Sequence, residues 1–326
     1  MSALEIAADH ARRRADLAES LREEAKVAWG RVDSHRISES WIAQLPRLLL
    51  LLTAGQLAAA QTADRYVDAA LDAQDLDPTA DALTSSRALA GIASDGRPLE
   101  SLLAQPGITA KVALSEGHTL DYAMAAGGVL AQLIAHTQVT DAGRVADEVA
   151  LAARRDASGF TRMVVGKTCS RCILLAGRWY RWNAGFKRHP KCDCVGIPSR
   201  EAIAGDVTTD PRKIFDSMSA VEQDRVFTKA GAAAIREGAD LSQVVNARRG
   251  MQTASVFGRD VLVTIEGTTT RGAAGARLGA RRAETKREGD RYRRAVRVRL
   301  MPEQIFRDAR DRDDAIRLLK LHGYIL

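Results

Sequence analysis

All four cysteines of this 326-residue chain fall inside one window: Cys169, Cys172, Cys192 and Cys194, with His189 just before the second pair. The spacing is C-x2-C followed by H-x2-C-x-C, and it constrains the fold more than any other stretch. Thiolate and imidazole are the ligands that Zn2+ prefers, and a structural site closes four of them tetrahedrally around the ion. A C-x2-C turn lets two sulfurs reach one metal, and Gly177 and Gly185 allow the chain to fold back and bring the second pair. Two disulfides would require an oxidising compartment. The N-terminus, MSALEIAADHARRR, lacks the apolar core of an export signal, so none is expected. A redox C-x2-C normally occurs without a second pair beside it. Structural Zn2+ is therefore the expected cofactor.

Five candidates, Cys169, Cys172, His189, Cys192 and Cys194, compete for four places. Cys192 and Cys194 alternate by two, so on an extended segment both point to one face. Either all four sulfurs bind and His189 stands behind them, or His189 replaces one of the last two cysteines. A catalytic zinc fits less well, because it needs an open position and usually a carboxylate base, and the deaminase pattern H-x-E with P-C-x-x-C is absent from the sequence. Asp193, between two ligands, reads as a solvated turn acid.

The order C-x2-C, a glycine after a short apolar run, HP-x-C-x-C and then a proline resembles the Mu F-like minor head, or head morphogenesis, proteins of tailed bacteriophages. The matching positions are Cys169, Cys172, Gly177, His189, Pro190, Cys192, Cys194 and Pro198. Members of that family commonly carry Arg between the last two cysteines, where this chain has Asp193, so a basic role there is not carried over. The segment from DPRKIF to ARRGM, with the closing RLMPEQIF and LLKLHGYIL, is similar to the C-terminal part of capsid-associated proteins of actinobacterial phages. The resemblance implies a minor virion component in the head interior, assembled in the host cytoplasm. It further implies contact with portal protein, other head proteins and packaged double-stranded DNA. Some such chains are named capsid maturation proteases, which is one alternative. A non-virion DNA-binding zinc protein is the other.

The rest of the chain reads as mostly helical. Hydrophobic residues make up 46%, enough for a sizeable core, but aromatics are only 5%, so that core is built from Ala, Leu and Val. From Ser2 to Val32 the apolar residues recur at helical spacing, with Arg12, Arg13 and Arg14 expected on a solvated face. Pro46 is expected to interrupt a second helix before the run RLLLLLTAGQLAAA. Leu48 to Leu52 falls far short of the roughly 20 residues of a membrane span, so no membrane partner is expected. Residues 95–107 read as loop with at most a helical turn at Leu99 to Ala104. Ile108 to His136 reads as helix weakened at Gly127 and Gly128, and Asp141 to Arg155 as a separate helix. His10, His35, His118, His136 and His322 have no ligand partner at close spacing and read as surface or satisfied core residues. No nucleophile elbow, H-E-x-x-H helix or phosphate loop occurs, so no catalytic residue and no small-molecule substrate are nominated.

Beyond the cysteines, Ser219 and Glu222 fit a capping box, Gly238 a helix stop, Val261 to Ile265 a strand, and Pro302 the start of a final helix. Between Arg271 and Arg299 there are eleven Lys and Arg against three acids, which accounts for essentially the whole net charge of +7. Glycines at 267, 272, 275, 279 and 289 make this a flexible basic arm. Arg277, Arg281, Arg282, Lys286, Arg287, Arg291, Arg293 and Arg294 are its candidate contacts to DNA phosphates, without sequence readout. The expected architecture is predominantly helical α+β in three parts. These are a helical domain (1–155), a Cys/His zinc module built on a β-hairpin (156–205), and a C-terminal α+β domain (206–326) with its basic arm at 267–299.

Overall fold

The computed structural model describes residues 1–165, 168–184, 194–201, 210–256, 258–280 and 291–325. It is α+β and mostly helical, with two three-stranded antiparallel sheets among the described residues. The chain divides into an N-terminal unit, residues 1–168 with 176–208, and a C-terminal unit, residues 169–175 with 209–326.

In the N-terminal unit, α1 (Ala3–Trp29) opens with a Ser2–Glu5 capping box that satisfies two backbone donors reciprocally. Its buried stripe runs Ala7, His10, Arg14, Ala18, Leu21 and Ala25, the three-to-four spacing of a core-facing face. That spacing corrects the solvated reading for Arg14, which falls on the stripe, while Arg12 and Arg13 are exposed as expected. Helix α2 (Ile37–Ala60) continues through Pro46. The proline costs one backbone bond, but Trp41, Leu45, Leu48 and Leu52 are all buried in one core and hold the helix on both sides of it. Counting five leucines also understated this segment. Ile37–Asp72, which includes α3 (Ala63–Asp72), is long and apolar enough by length and composition to cross a membrane, although that core takes up its apolar face.

Helix α4 (Leu99–Leu103) is the turn expected within the 95–107 loop, α5 (Gln105–Ser115) begins before that loop was expected to end, and Thr119 caps α6 (Leu120–Ala152), a single helix of 33 residues. The glycine pair does not interrupt α6. A Cβ on Gly127 would lie 2.2 Å from the Trp29 indole, so glycine is what admits that ring. The indole Nε1 of Trp29 donates to Met124 O and meets Trp41 edge-on at 5.1 Å.

Strand β1 (Gly159–Val164) is central in the first sheet, flanked by β2 (Trp179–Arg181) and β3 (Cys194–Ser199). The sheet sits on the helices of its own unit: Tyr66 Oη donates to Gly196 O at 2.7 Å, and Gln74 Nε2 to Pro198 O at 2.7 Å.

The C-terminal unit contains α7 (Ser170–Leu174), α8 (Pro211–Ser217), α9 (Ala220–Phe227), α10 (Lys229–Arg236) and α11 (Leu241–Ala247). Strands β4 (Met251–Val256), β5 (Arg259–Thr264) and β6 (Arg299–Leu300) form its sheet in that order, followed by α12 (Pro302–Asp308) and α13 (Arg312–Leu321). The Ser219–Glu222 capping box, the Asp240 cap of α11 and Pro302 in the first turn of α12 all form. Its core gathers Ile173, Phe215, Phe227, Ile235, Ile305, Leu319 and Tyr324. The glycine-rich start of the basic segment is packed rather than free, with Ala274, Leu278 and Ala280 buried.

Candidate functional site

The first cysteine pair is set by one turn of helix. Cys169 precedes α7 in extended conformation, Cys172 lies within α7, and Ile173 N returns to Cys169 O. Residues three apart share a helical face, and here the two sulfurs lie 3.5 Å apart. Two thiolates at ~2.3 Å from a tetrahedral zinc are themselves about 3.8 Å apart, so the pair fits half of such a site. Cys172 is buried and Cys169 partly so, and neither is in a disulfide.

Cys194 opens β3 opposite Val164, while Arg162 stands opposite Gly196. That register puts Arg162 and Cys194 on one face of the sheet, one rung apart. Arg162 Nη2 donates to Cys194 Sγ at 3.3 Å, and both residues are 2% exposed. His189 and Cys192 lie outside the described residues, as does Asp193. Among the described residues no three Cys, His, Asp or Glu side chains come together as a metal set.

Next to this sheet the N-terminal unit buries a charged cluster that sequence reasoning missed. Arg14 Nη1 donates to Asp147 Oδ2 at 2.5 Å, His10 Nε2 is 3.0 Å from Asp147 Oδ1, and the imidazole stacks on Tyr66 at 3.9 Å. Burial pushes the Asp147 carboxyl up, yet the charges of Arg14 and His10 and their hydrogen bonds outweigh it and hold the group down at about 2. Burial, reinforced by the Asp147 charge, pushes the Tyr66 phenol well up. His10 is a satisfied core histidine, as expected. The clue to Arg14 was its place on the stripe with His10 and Ala18, not its two arginine neighbours.

The nominated phosphate contacts have diverse surroundings. Arg277 Nη1 donates to Lys320 O at 2.6 Å, at the end of α13. Arg294 Nη1 donates to Ile265 O at 3.0 Å. Arg291 and Arg293 are exposed, and Arg291 and Arg271 flank the Tyr292 ring at 5.6 and 4.8 Å. Arg281, Arg282, Lys286 and Arg287 lie outside the described residues. Arg299, at the end of the basic stretch, is buried as a structural residue: Nε donates to His322 O and Nη1 to Glu266 O, both at 2.7 Å.

Comparison with known proteins gives one family. No curated protein and no solved structure matches the chain. A family model described as VG15 protein matches residues 1–221, which is more than half of the chain and includes all four cysteines but not the basic segment. With helices α1 to α9 opening inside that span and the cysteine segment within it, the chain belongs to the VG15 family of phage proteins.

Proposed function

We propose that this phage protein is a minor capsid, or head morphogenesis, protein of the Mu F-like kind, carried in the head interior and present in the host cytoplasm during assembly. One observation carries the reading: the C-x2-C and HP-x-C-x-C segment lies inside the part of the chain that belongs to a phage family. The role is structural, a contact to portal protein, other head proteins and packaged double-stranded DNA. The exposed Arg291 and Arg293 and the basic residues 281–287 bind DNA phosphates without regard to sequence. Mass spectrometry of purified particles tests the role. A few copies per particle, retained after high-salt washing, are expected. Absence from particles overturns it and leaves a non-virion zinc protein. Scaffold cleavage by the purified chain would instead make it a capsid maturation protease.

Structural zinc held by Cys169 and Cys172, with the remaining ligands from His189, Cys192 and Cys194, belongs to the same proposal. The ion would tie the cysteine segment together, with stabilisation on the order of 10 kcal/mol. Elemental analysis of the purified chain is expected to give one zinc per chain, and Cys172→Ala to lose it. Metal-free protein whose melting is unchanged by a chelator would remove zinc and leave the head assignment to the particle analysis.

A further inference from the structure

Edge strands invite pairing with other chains, and folded proteins shorten, cover or charge them. Among the described residues the two sheets have four edges, and three are managed in this way. β2 and β6 are only three and two residues long. β3 carries Pro198, which has no N–H to offer, and the carbonyls of Gly196 and Pro198 already accept from Tyr66 and Gln74. β4 has none of these devices. Its sequence, MQTASV, includes no charge, no proline and no glycine, and it is paired with β5 from end to end. Four of its six residues are exposed and two are half-buried. Among the described residues, no hydrogen bond outside the β4–β5 ladder engages the backbone of residues 251–256.

In an antiparallel ladder the N–H and C=O groups of alternate residues point away from the partner strand. β4 therefore presents a row of main-chain donors and acceptors about 20 Å long, kept in register by β5. A segment that adds to such an edge draws its affinity from main-chain hydrogen bonds and its selectivity from side chains. Here the flanking charge is positive at both ends. Arg249, just before β4, is exposed, and among the described residues its side chain reaches Asn246 at 3.4 Å. At the other end Arg259 stands opposite Val256, exposed and without an acidic partner among the described residues. Asp260 is exposed opposite Ser255, and alternation places it on the other face from Arg259. Arg248 is held by Glu303. Antiparallel pairing with a second copy would bring Arg249 of each copy to the turn that carries Arg259 of the other, and like charges at facing positions destabilise a sheet. An incoming segment with acidic ends meets no such penalty.

We propose that β4 takes up an extended segment of another protein as an added strand, and that this segment is uncharged in its middle and acidic at both ends. The assignment concerns the sheet of the C-terminal unit and holds whether or not the chain enters the virion head. The test uses the full chain and three short dye-labelled peptides with an alternating valine and threonine centre. The first has aspartates at each end, the second has lysines there, and the third is the first with all its central amides N-methylated. Fluorescence anisotropy is expected to show saturable binding of the aspartate-ended peptide, about fivefold or more tighter than the lysine-ended one at low salt, with the gap narrowing as salt rises. In the double variant Arg249→Glu with Arg259→Glu, which alters two exposed side chains, the preference reverses. N-methylation abolishes binding, because it removes the main-chain donors that pair with the β4 carbonyls. Hydrogen exchange of residues 251–256 is expected to slow when the aspartate-ended peptide binds. Equal binding of the aspartate-ended and lysine-ended peptides, binding of the N-methylated one, exchange at 251–256 unchanged by peptide, or no binding at all overturns the proposal. So does protection of 251–256 that grows with protein concentration without peptide, which assigns the edge to a second copy of the chain.

Discussion

In the N-terminal unit, the buried Arg14 and Arg154 end on carboxylates. Arg14 meets Asp147, and Arg154, with no exposed side-chain surface, meets Asp64 and Asp68. In the C-terminal unit, Arg299 ends on neutral acceptors: the carbonyls of Glu266, His322 and Gly323 and the amide oxygen of Gln243, with the Tyr324 ring 4.4 Å away. Gly267 permits this, because a Cβ there would lie 2.4 Å from the guanidinium. Both devices satisfy the donors of a buried cation. They differ in what protons do to them, since carboxylates titrate and backbone carbonyls do not.

The largest effect that would sharpen this contrast is expected at Arg299. Arg299→Met leaves four acceptors without a donor, each costing ~1–3 kcal/mol, for a loss of about 5 kcal/mol in urea unfolding. Arg299→Lys recovers little of it, because an ammonium cannot span the same fork. A loss below ~1 kcal/mol would mean that the carbonyls find other donors.

Breaking the Arg14–Asp147 pair comes next. Arg14→Met alone strands a buried carboxylate and is expected to cost about 3 kcal/mol. The double variant with Asp147→Leu costs less than either single change, because no uncompensated charge remains. Simple additivity in the cycle would show that the pair is not coupled.

The pH dependence separates the units by window. Burial, then the Arg299 charge, pulls His322 from 6.5 down to about 4, and its Nδ1 accepts from Leu300 N, which requires the unprotonated ring. A depressed histidine stabilises fully above about pH 6.5 and loses that contribution as pH falls toward 4, roughly 3 kcal/mol. Asp147, depressed from 3.8 to about 2, holds its contribution above about pH 4 and loses roughly 2 kcal/mol on the way down to 2. All four tryptophans, Trp29, Trp41, Trp179 and Trp182, lie in the N-terminal unit. Circular dichroism is therefore expected to fall first at pH 4–6.5, with tryptophan fluorescence following only at lower pH. His322→Gln abolishes the first step. Coincident transitions would show the two units unfolding as one.

The smallest expected effect is steric. Gly127→Ala forces a methyl onto Trp29 and is expected to cost about 1–3 kcal/mol in thermal unfolding. A neutral outcome would mean that the indole moves aside freely.

The same comparison shows where sequence reading stops. Local chemistry was visible wherever one segment supplied both partners. Ser219 and Glu222 made their box, Pro302 opened α12, and the C-x2-C spacing brought two sulfurs together on one helical turn. Reading failed where the partner came from far along the chain. Gly127 looked like a flaw in a helix because Trp29 is nearly a hundred residues away, and Pro46 looked like a break because the core holding α2 was not yet assembled. The glycines at 267–279 suggested an arm, although Gly267 gives room to Arg299 and Ala274 and Leu278 are core.

The sequence by itself determined the helical class, the helix starts at Ser219 and Pro302, the cysteine segment and the concentration of positive charge. These rest on spacing and on contacts within a few residues. Only the tertiary structure decided which arginines are buried, and on what. A charged side chain enters an interior only where distant elements bring acceptors to meet it, and Asp147 for Arg14 and the carbonyls around Arg299 are set by packing.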